Sequence, residues 1–529
     1  MKFFRRFRER LIPPPNIRTH FMTKPSRRSF LKTAAVVGSA LGSTGYFVAE
    51  TSAQESSKNL NVACIGVGGK GNSDSDNAAR FGKIVAICDV DSKTLDGKSQ
   101  KAGFQTAKKY TDFRKMLEEN EKDIDIVTIS GPDHMHAAAT LMAMRMGKNC
   151  YTQKPLTRSI YEARKLAEVA KETGVCTQMG NQGTALDTSR HAIDLLKAGI
   201  VGTIKEVIVW SNRPVWPQGP GKRENMESFA KKGYAAAPNR QAADRLIWTK
   251  YDEVNRNLQT LDWRLWLNTA PYRDYYPGLY HSFAWRGWWD FGSGALGDMA
   301  CHQLTVPFAG AGLKDPTWVR AKTTGHDFDI FPESSIIEFE FPANADRGKI
   351  PFWWYDRLGN KPPQEIFSKY GVQSVADSGA LIIGEKGAMY SPSDYCEKYE
   401  FLAEGGQKID ENADQWKSVK DKTVLSEKKG GGFDQHNMWE LFRAVLAKDP
   451  SICKSNFVDR AGPLTETILL GNLAVWAAAE GGPNGAMGDW GEKVEWDAKN
   501  LVVTNLSSLK TPGVADLVKP VYTDGYRLD

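Results

Sequence analysis

None of the seven cysteines (Cys64, Cys88, Cys150, Cys176, Cys301, Cys396, Cys453) belongs to a CxxC pair, and several sit inside apolar, strand-like runs. That pattern reads as buried small hydrophobes and argues against a zinc or iron–sulfur centre. The sequence also lacks an internal repeat and a low-complexity domain. Its slight basic excess, 69 Lys+Arg against 63 Asp+Glu in 529 residues, belongs to one end: residues 1–53 hold 10 of the basic and 2 of the acidic side chains. The remainder carries 59 basic and 61 acidic residues, so no nucleic-acid partner is expected. The weakly apolar stretch from Thr33 to Ala49 is interrupted by Gly38, Ser39, Gly42, Ser43, Thr44 and Gly45. It falls short of the roughly 20 apolar residues that span a membrane, so no stable membrane anchor is expected. What is present is a globular composition, 41% hydrophobic and 11% aromatic, at a length that favours more than one domain.

Ser26-Arg27-Arg28-Ser29-Phe30-Leu31-Lys32 directly precedes that stretch, as in a twin-arginine export signal. Thr51-Ser52-Ala53 offers small residues for cleavage near Ala53, and the lack of a Cys there argues against a lipoprotein. Met22 is an alternative start, because the basic segment before it is longer than such a signal needs. Residues 1–53 are therefore expected to be a signal read by the twin-arginine translocation machinery, delivering a periplasmic or otherwise exported protein. That route carries folded chains, which suits a cofactor inserted before export.

From Asn61 short apolar runs alternate with helical patterns. Val62–Val67, Ile84–Val90, Ile124–Ser130, Asn149–Gln153 and Val175–Met179 read as strands, and Phe113–Asn120, His136–Met146 and Ser159–Thr173 as helices. The alternation predicts an α/β fold with a parallel sheet covered on both faces over residues 54–182. The first strand runs into Gly66-Val67-Gly68-Gly69-Lys70-Gly71, a GxGxxG pattern in which Gly66, Gly68, Gly69 and Gly71 permit a tight turn and close approach of a pyrophosphate. The next strand ends at Asp89, placed to hydrogen-bond the adenosine ribose and to repel a 2′-phosphate, which favours NAD(H) over NADP(H). A solvated loop carboxylate is the other reading of Asp89.

Pro132-Asp133-His134-Met135-His136 follows the strand ending at Ile129, where open α/β sheets bind ligands. Pro132 and His136 are placed beside the cofactor, with helix capping the alternative for His134. Two histidines without further ligand spacing form no metal site. Lys154, at the end of the fifth strand with Pro155 behind it, would face the nicotinamide and polarise a substrate oxygen; otherwise it is a surface lysine before a turn.

These motifs, with Gly294-Ala295-Leu296-Gly297-Asp298-Met299-Ala300-Cys301-His302 further on, resemble the Gfo/Idh/MocA family of oxidoreductases. The resemblance runs from about Asn61 to the C-terminus. It implies an N-terminal Rossmann dinucleotide-binding domain and, over residues 183–529, a C-terminal α/β domain with an open, mostly antiparallel sheet that often supports homo-oligomers. It also implies sugar, sugar-derivative or cyclitol substrates. Many members have Glu before the Lys-Pro pair, where this chain has Gln153. Gln153-Lys154-Pro155, Gly180-Asn181-Gln182-Gly183, Asn212-Arg213-Pro214-Val215-Trp216 and Trp285-Arg286-Gly287-Trp288-Trp289 are similar to an exported bacterial subgroup.

In the second half, alternation over Ser334–Phe341 and Ile350–Arg357 predicts strands of a separate sheet. Asn437–Ala447 and Leu464–Ala479 read as core helices whose ends can pack back on the Rossmann domain, and Pro217–Thr260 as a long insertion. Asp298 and His302, spaced i and i+4, share one helix face. Asp298 is expected to orient the imidazole, with His302 as general base and Lys154 polarising the oxygen; a polar surface pair is the alternative. Arg213, Trp216, His281, Trp285 and Arg286 are candidate substrate contacts, the indoles for sugar faces, although each tryptophan can equally be core.

Three functions remain open. One is an exported NAD(H)-dependent oxidoreductase acting on a carbinol, with a tightly held cofactor because free NAD is scarce outside the cytoplasm. A second is an NAD-dependent glycosidase or lyase using transient oxidation without net redox change. The third is a carbohydrate-binding protein without turnover.

Overall fold

The computed structural model describes residues 56–219, 260–273, 275, 279–428, 430–522 and 525–528. The expected export signal and most of the Pro217–Thr260 insertion lie outside the described residues.

Six parallel strands form the first sheet: β1 (Asn61–Ile65), β2 (Lys83–Cys88), β3 (Lys108–Tyr110), β4 (Ile126–Ile129), β5 (Asn149–Thr152) and β6 (Thr177–Met179). Their order β3-β2-β1-β4-β5-β6 is the doubly wound arrangement, whose crossover between β1 and β4 opens a crevice at the carboxyl ends of the strands. β1 and β4 are almost wholly buried, as expected of strands covered on both faces. β3 escapes sequence reading because Lys-Lys-Tyr is short, largely exposed and carries no apolar run.

Helix α1 (Gly69–Phe81) follows β1, α2 (Asp133–Arg145) follows β4, and α3 (Ile160–Thr173) follows β5. α3 starts on a capping box in which Ser159 and Glu162 each satisfy the other's backbone N–H, and ends on Gly174 in the left-handed conformation.

The second sheet holds nine strands: β7 (Ile204–Ser211), β8 (Trp318–Thr323), β9 (Ser335–Phe341), β10 (Ile350–Asp356), β11 (Gly379–Gly384), β12 (Ala388–Ser391), β13 (Glu400–Leu402), β14 (Val494–Asp497) and β15 (Val502–Val503). Their order is β13-β12-β11-β7-β10-β9-β8-β14-β15. Only β7 and β10 pair in parallel; the other neighbours are antiparallel. Strict alternation of buried and half-buried residues in β8, β9 and β10 buries one face of this sheet.

Helix α4 (Gly294–Gln303) lies between β7 and β8 in sequence, and α5 (Phe433–Ala447) and α6 (Gly462–Ala477) between β13 and β14. α5 packs back on the first domain: Trp439 and Phe442 meet Phe81 of α1 at ring separations of 5.0 and 5.7 Å. Position 471 in α6 must be small, since a Cβ there would stand 2.5 Å from Leu296 and 2.8 Å from Phe339. All seven cysteines are buried and unpaired, and no cluster of metal-ligating side chains occurs among the described residues.

Candidate active site

The GxGxxG loop is shaped by its missing side chains. Gly66 turns at φ 73° and Gly69 at φ 48°, in the left-handed region that glycine tolerates. A Cβ on Gly71 would fall 1.9 Å from the Gly66 carbonyl oxygen, so α1 can approach the end of β1 only with glycine there. Gly68 caps α1 without any side-chain acceptor, which leaves first-turn N–H groups available to an anion.

Asp89, just after β2, is not a solvated loop carboxylate. Its Oδ2 accepts the Val67 N–H at 2.9 Å and its Oδ1 the Asp91 N–H at 3.0 Å, which ties it to the glycine loop. Burial pushes its carboxyl up to about 6 against those bonds. Each oxygen retains acceptor capacity for a ribose hydroxyl.

One groove is lined by Gly66, Gly68, Gly69 and Asp89, then by Pro132 and Asp133, and then by Lys154, His281, Trp285 and Arg286. Asn268 and Ser282 line it too. Asn268 Oδ1, His281 Nε2 and Ser282 Oγ are buried without a hydrogen-bond partner, an arrangement costly unless a ligand or water completes it. Burial lowers the His281 imidazole to about 4, so the ring is neutral. Glycine cradle, uncapped helix start, ribose-side carboxylate and orphaned polar atoms together fit a nicotinamide dinucleotide.

Lys154 leaves β5 and reaches α4. Its Nζ donates at 2.7 Å to both the Asp298 carbonyl and Asp298 Oδ1, while Arg286 Nε approaches the same Oδ1 at 3.4 Å. Burial alone would raise the Asp298 carboxyl, but the Lys154 and Arg286 cations hold it well below the usual carboxylate range.

The expected Asp298–His302 pairing is thereby corrected. Helix spacing does place both on α4, but Asp298 is engaged by the two cations, and His302 stands edge-on to Tyr395 at 4.6 Å between ring centroids. His302 Nδ1 is buried and has no partner. Burial, reinforced by Lys154, holds the imidazole well below its ordinary value, hence neutral.

Sequence reading passed over Asp133. It opens α2, lines the groove, and accepts a hydrogen bond from Ser293 Oγ at the start of α4. Burial pushes its carboxyl up to about 7, against Ser293, Arg286 and Lys154. An acidic residue inside the Pro132–His136 loop was visible, but nothing in the sequence joined it to Ser293.

His136 is displaced from the role expected beside the cofactor. Its ring nitrogens each meet a backbone carbonyl at 2.9 Å, Pro155 and Gly131, so it braces the two loops from behind. His134 is likewise enclosed, between the Trp266 and Phe291 carbonyls, and caps nothing.

Of the candidate indoles, Trp285 lines the groove, with the Arg286 guanidinium 4.2 Å from its ring, and Trp266 lines it as well. Trp216 is buried and donates to Gln218 Oε1; Trp288 is fully buried and donates to the Leu279 carbonyl; Trp289 stacks on Phe331 at 3.6 Å. These three are core, because each indole fills space that its neighbours leave closed to solvent. Arg213 faces Asp394 at 3.8 Å, on the loop that brings Tyr395 to His302.

Residues 60–181 match the model of an oxidoreductase family with an NAD-binding Rossmann fold, and residues 244–323 that family's C-terminal α/β domain. A glycosyl hydrolase family 109 protein of Shewanella pealeana is 28% identical over 27% of this chain and 33% of its own length. One of Saccharopolyspora erythraea is 28% identical over 34% of this chain and 44% of its own length, so less than half of either relative is spanned. An inositol dehydrogenase homologue of Azotobacter vinelandii complexed with NAD+ superposes with a TM-score of 0.53 at 15% identity, covering 83% of this chain and 98% of that one. That likeness is one of fold. Both domain models of the Gfo/Idh/MocA oxidoreductase family are thus matched in order, over less than half of the chain.

Proposed function

We propose that this protein is an exported, NAD(H)-dependent enzyme that oxidises or reduces a carbinol of a sugar, glycoside or cyclitol. The observation that carries the reading is the Lys154–Asp298 ion pair, whose lysine lines the same groove as the glycine loop and Asp89. An ammonium has three donor protons. Two are engaged by Asp298, and the third is left for a substrate oxygen. Lys154 thus stabilises negative charge developing on that oxygen, while Asp298 holds the ammonium in place. His302, neutral and with an unpartnered Nδ1, accepts the hydroxyl proton. A bound nicotinamide dinucleotide would supply the hydride acceptor and donor. Asn268, Ser282, His281 and Arg286 offer the polar contacts that orient ligands in the groove, and Trp285 the flat apolar one.

The family 109 glycosyl hydrolase relatives favour a second reading, in which the same residues oxidise a glycoside transiently, allow elimination and return the hydride with no net redox change. Export through the twin-arginine route, supported by Ser26 to Lys32, makes a tightly held cofactor part of both readings. A homo-oligomer is part of the proposal on family grounds.

The test is to purify the mature protein without added nucleotide, denature it, and identify any released nucleotide by mass. The intact protein is then screened against sugars, glycosides and cyclitols for products and for nicotinamide absorbance. Stoichiometric NAD(H) with cleavage and no net reduction selects the closed redox cycle. Reduction of added NAD selects the dehydrogenase. Neither conversion nor cofactor would overturn both.

A further inference from the structure

Gln153 stands immediately before Lys154, at a position where a resemblance to the family leads one to look for a carboxylate. The structure supplies that carboxylate from another element. Asp74 of α1, 1% exposed, accepts Gln153 Nε2 at 2.8 Å and Ser130 Oγ at 2.9 Å on Oδ2, and pairs with Lys70 Nζ at 3.0 Å through Oδ1. Lys70 lines the groove and also meets Asp434 of α5 at 2.8 Å. On its other side the Gln153 amide accepts the Lys154 backbone N–H on Oε1 at 3.2 Å.

Both ends of the amide therefore read the same orientation: nitrogen toward a carboxylate, oxygen toward an N–H. Only a group with a donor at one end and an acceptor at the other completes this arrangement. A glutamate there would set two carboxylates at hydrogen-bond distance, which cannot both be ionised without a large penalty. Position 180 completes the fit, since a Cβ on Gly180 would stand 2.4 Å from Gln153 Nε2. The contacts run without a break from Asp434 through Lys70, Asp74, Gln153 and Lys154 to Asp298.

We infer that Asp74 is a positioning residue for Lys154, acting through the Gln153 amide, and that glutamine occupies position 153 because Asp74 already provides the carboxylate. The pair joins the helix of the dinucleotide loop to the strand end that carries Lys154. It rests on the reading of Lys154 as the group that meets the substrate oxygen, but its geometry can be tested without turnover.

The experiment is an exchange. Asp74→Asn, Gln153→Glu and the double variant are compared with the wild type in NADH affinity, followed by nicotinamide fluorescence, in thermal midpoint, and in kcat on whichever glycoside or sugar the wild type converts. Each is measured across pH. In Gln153→Glu the two carboxylates must share one proton, so NADH affinity and kcat should approach wild type at low pH and fall by tenfold or more as that proton is lost. Asp74→Asn should lose about tenfold in kcat with no such pH step. The double variant restores one carboxylate and one amide in exchanged places, and should recover to within about threefold of wild type with the pH step abolished. A double variant no better than the worse single one, or a Gln153→Glu loss that is independent of pH, overturns the inference. If Gln153→Glu does not fold, recovery of folded, NADH-binding protein in the double variant is the supporting result, and failure of the double variant as well is the overturning one. If no substrate is converted, the function reading fails while NADH affinity still decides this one.

Discussion

Lys154 Nζ reaches across from the Rossmann sheet to hold Asp298 twice, through its carbonyl and its carboxylate, each at 2.7 Å. The carboxylate that helix spacing assigns to His302 is therefore committed elsewhere, and the imidazole stands against Tyr395 instead. The ammonium and the imidazole are held by separate contacts, so the roles proposed for them can be tested by removing each in turn.

Replacing Lys154 with Ala should lower kcat by roughly 10²–10⁴-fold while NADH affinity changes by only a few-fold, because the glycine loop and Asp89 remain intact. Lys154→Arg should not restore the rate, since a planar guanidinium cannot reproduce an ammonium point charge with one proton left for the substrate. Steady-state kinetics beside NADH titration checks both. A Lys154→Ala enzyme with unchanged kcat removes Lys154 from the chemistry.

Gly71→Ala puts a methyl 1.9 Å from the Gly66 carbonyl oxygen, a backbone atom that cannot swing aside. The loop or α1 must shift, at a cost of about 1–3 kcal/mol in stability. NADH binding should fall far more than stability does, because the displaced first-turn N–H groups are those that would receive a pyrophosphate. Chemical denaturation and NADH titration of one preparation separate the two effects.

Much of this was legible from residues close together in sequence. The glycine spacing, the strand ending before Asp89 and the βα alternation are local signals, and the structure reproduces the sheet they imply. The buried cysteines were readable for the same reason, as members of apolar runs. Hidden were pairings across long sequence separations: Asp133 with Ser293, Lys154 with Asp298, Asp74 with Gln153. Local pattern could not sort the tryptophans, because an indole looks the same in sequence whether it faces a sugar, as Trp285 is proposed to do, or Phe331, as Trp289 does.

Asp89→Ala should weaken NADH by about tenfold and narrow the preference for NADH over NADPH, since the carboxylate both orders the Val67 and Asp91 N–H groups and opposes a 2′-phosphate. Parallel titrations with the two nucleotides provide the check. Equal losses for NADH and NADPH would restrict Asp89 to a loop-ordering role.

His302 and Asp133 should shift acid–base stability in opposite directions. The folded His302 imidazole stays neutral well below its ordinary 6.5, so beneath about pH 6.5 the unfolded chain binds the extra proton and stability is lost as pH falls. Asp133 is the reverse: its folded carboxyl holds a proton up to about 7, against 3.8 ordinarily, so in that window the folded chain binds more protons and stability falls as pH rises. The two slopes overlap in the acid range, between the ordinary carboxylate value of 3.8 and the ordinary imidazole value of 6.5, and oppose one another in the wild type, but single variants part them. His302→Gln should flatten the loss toward pH 5, whereas Asp133→Asn should leave stability at pH 4 nearly unchanged and raise it at pH 8. Urea midpoints of the nucleotide-free protein from about pH 4 to 8 measure both, and an Asp133→Asn gain of equal size at the two ends would show that packing, not protonation, accounts for it.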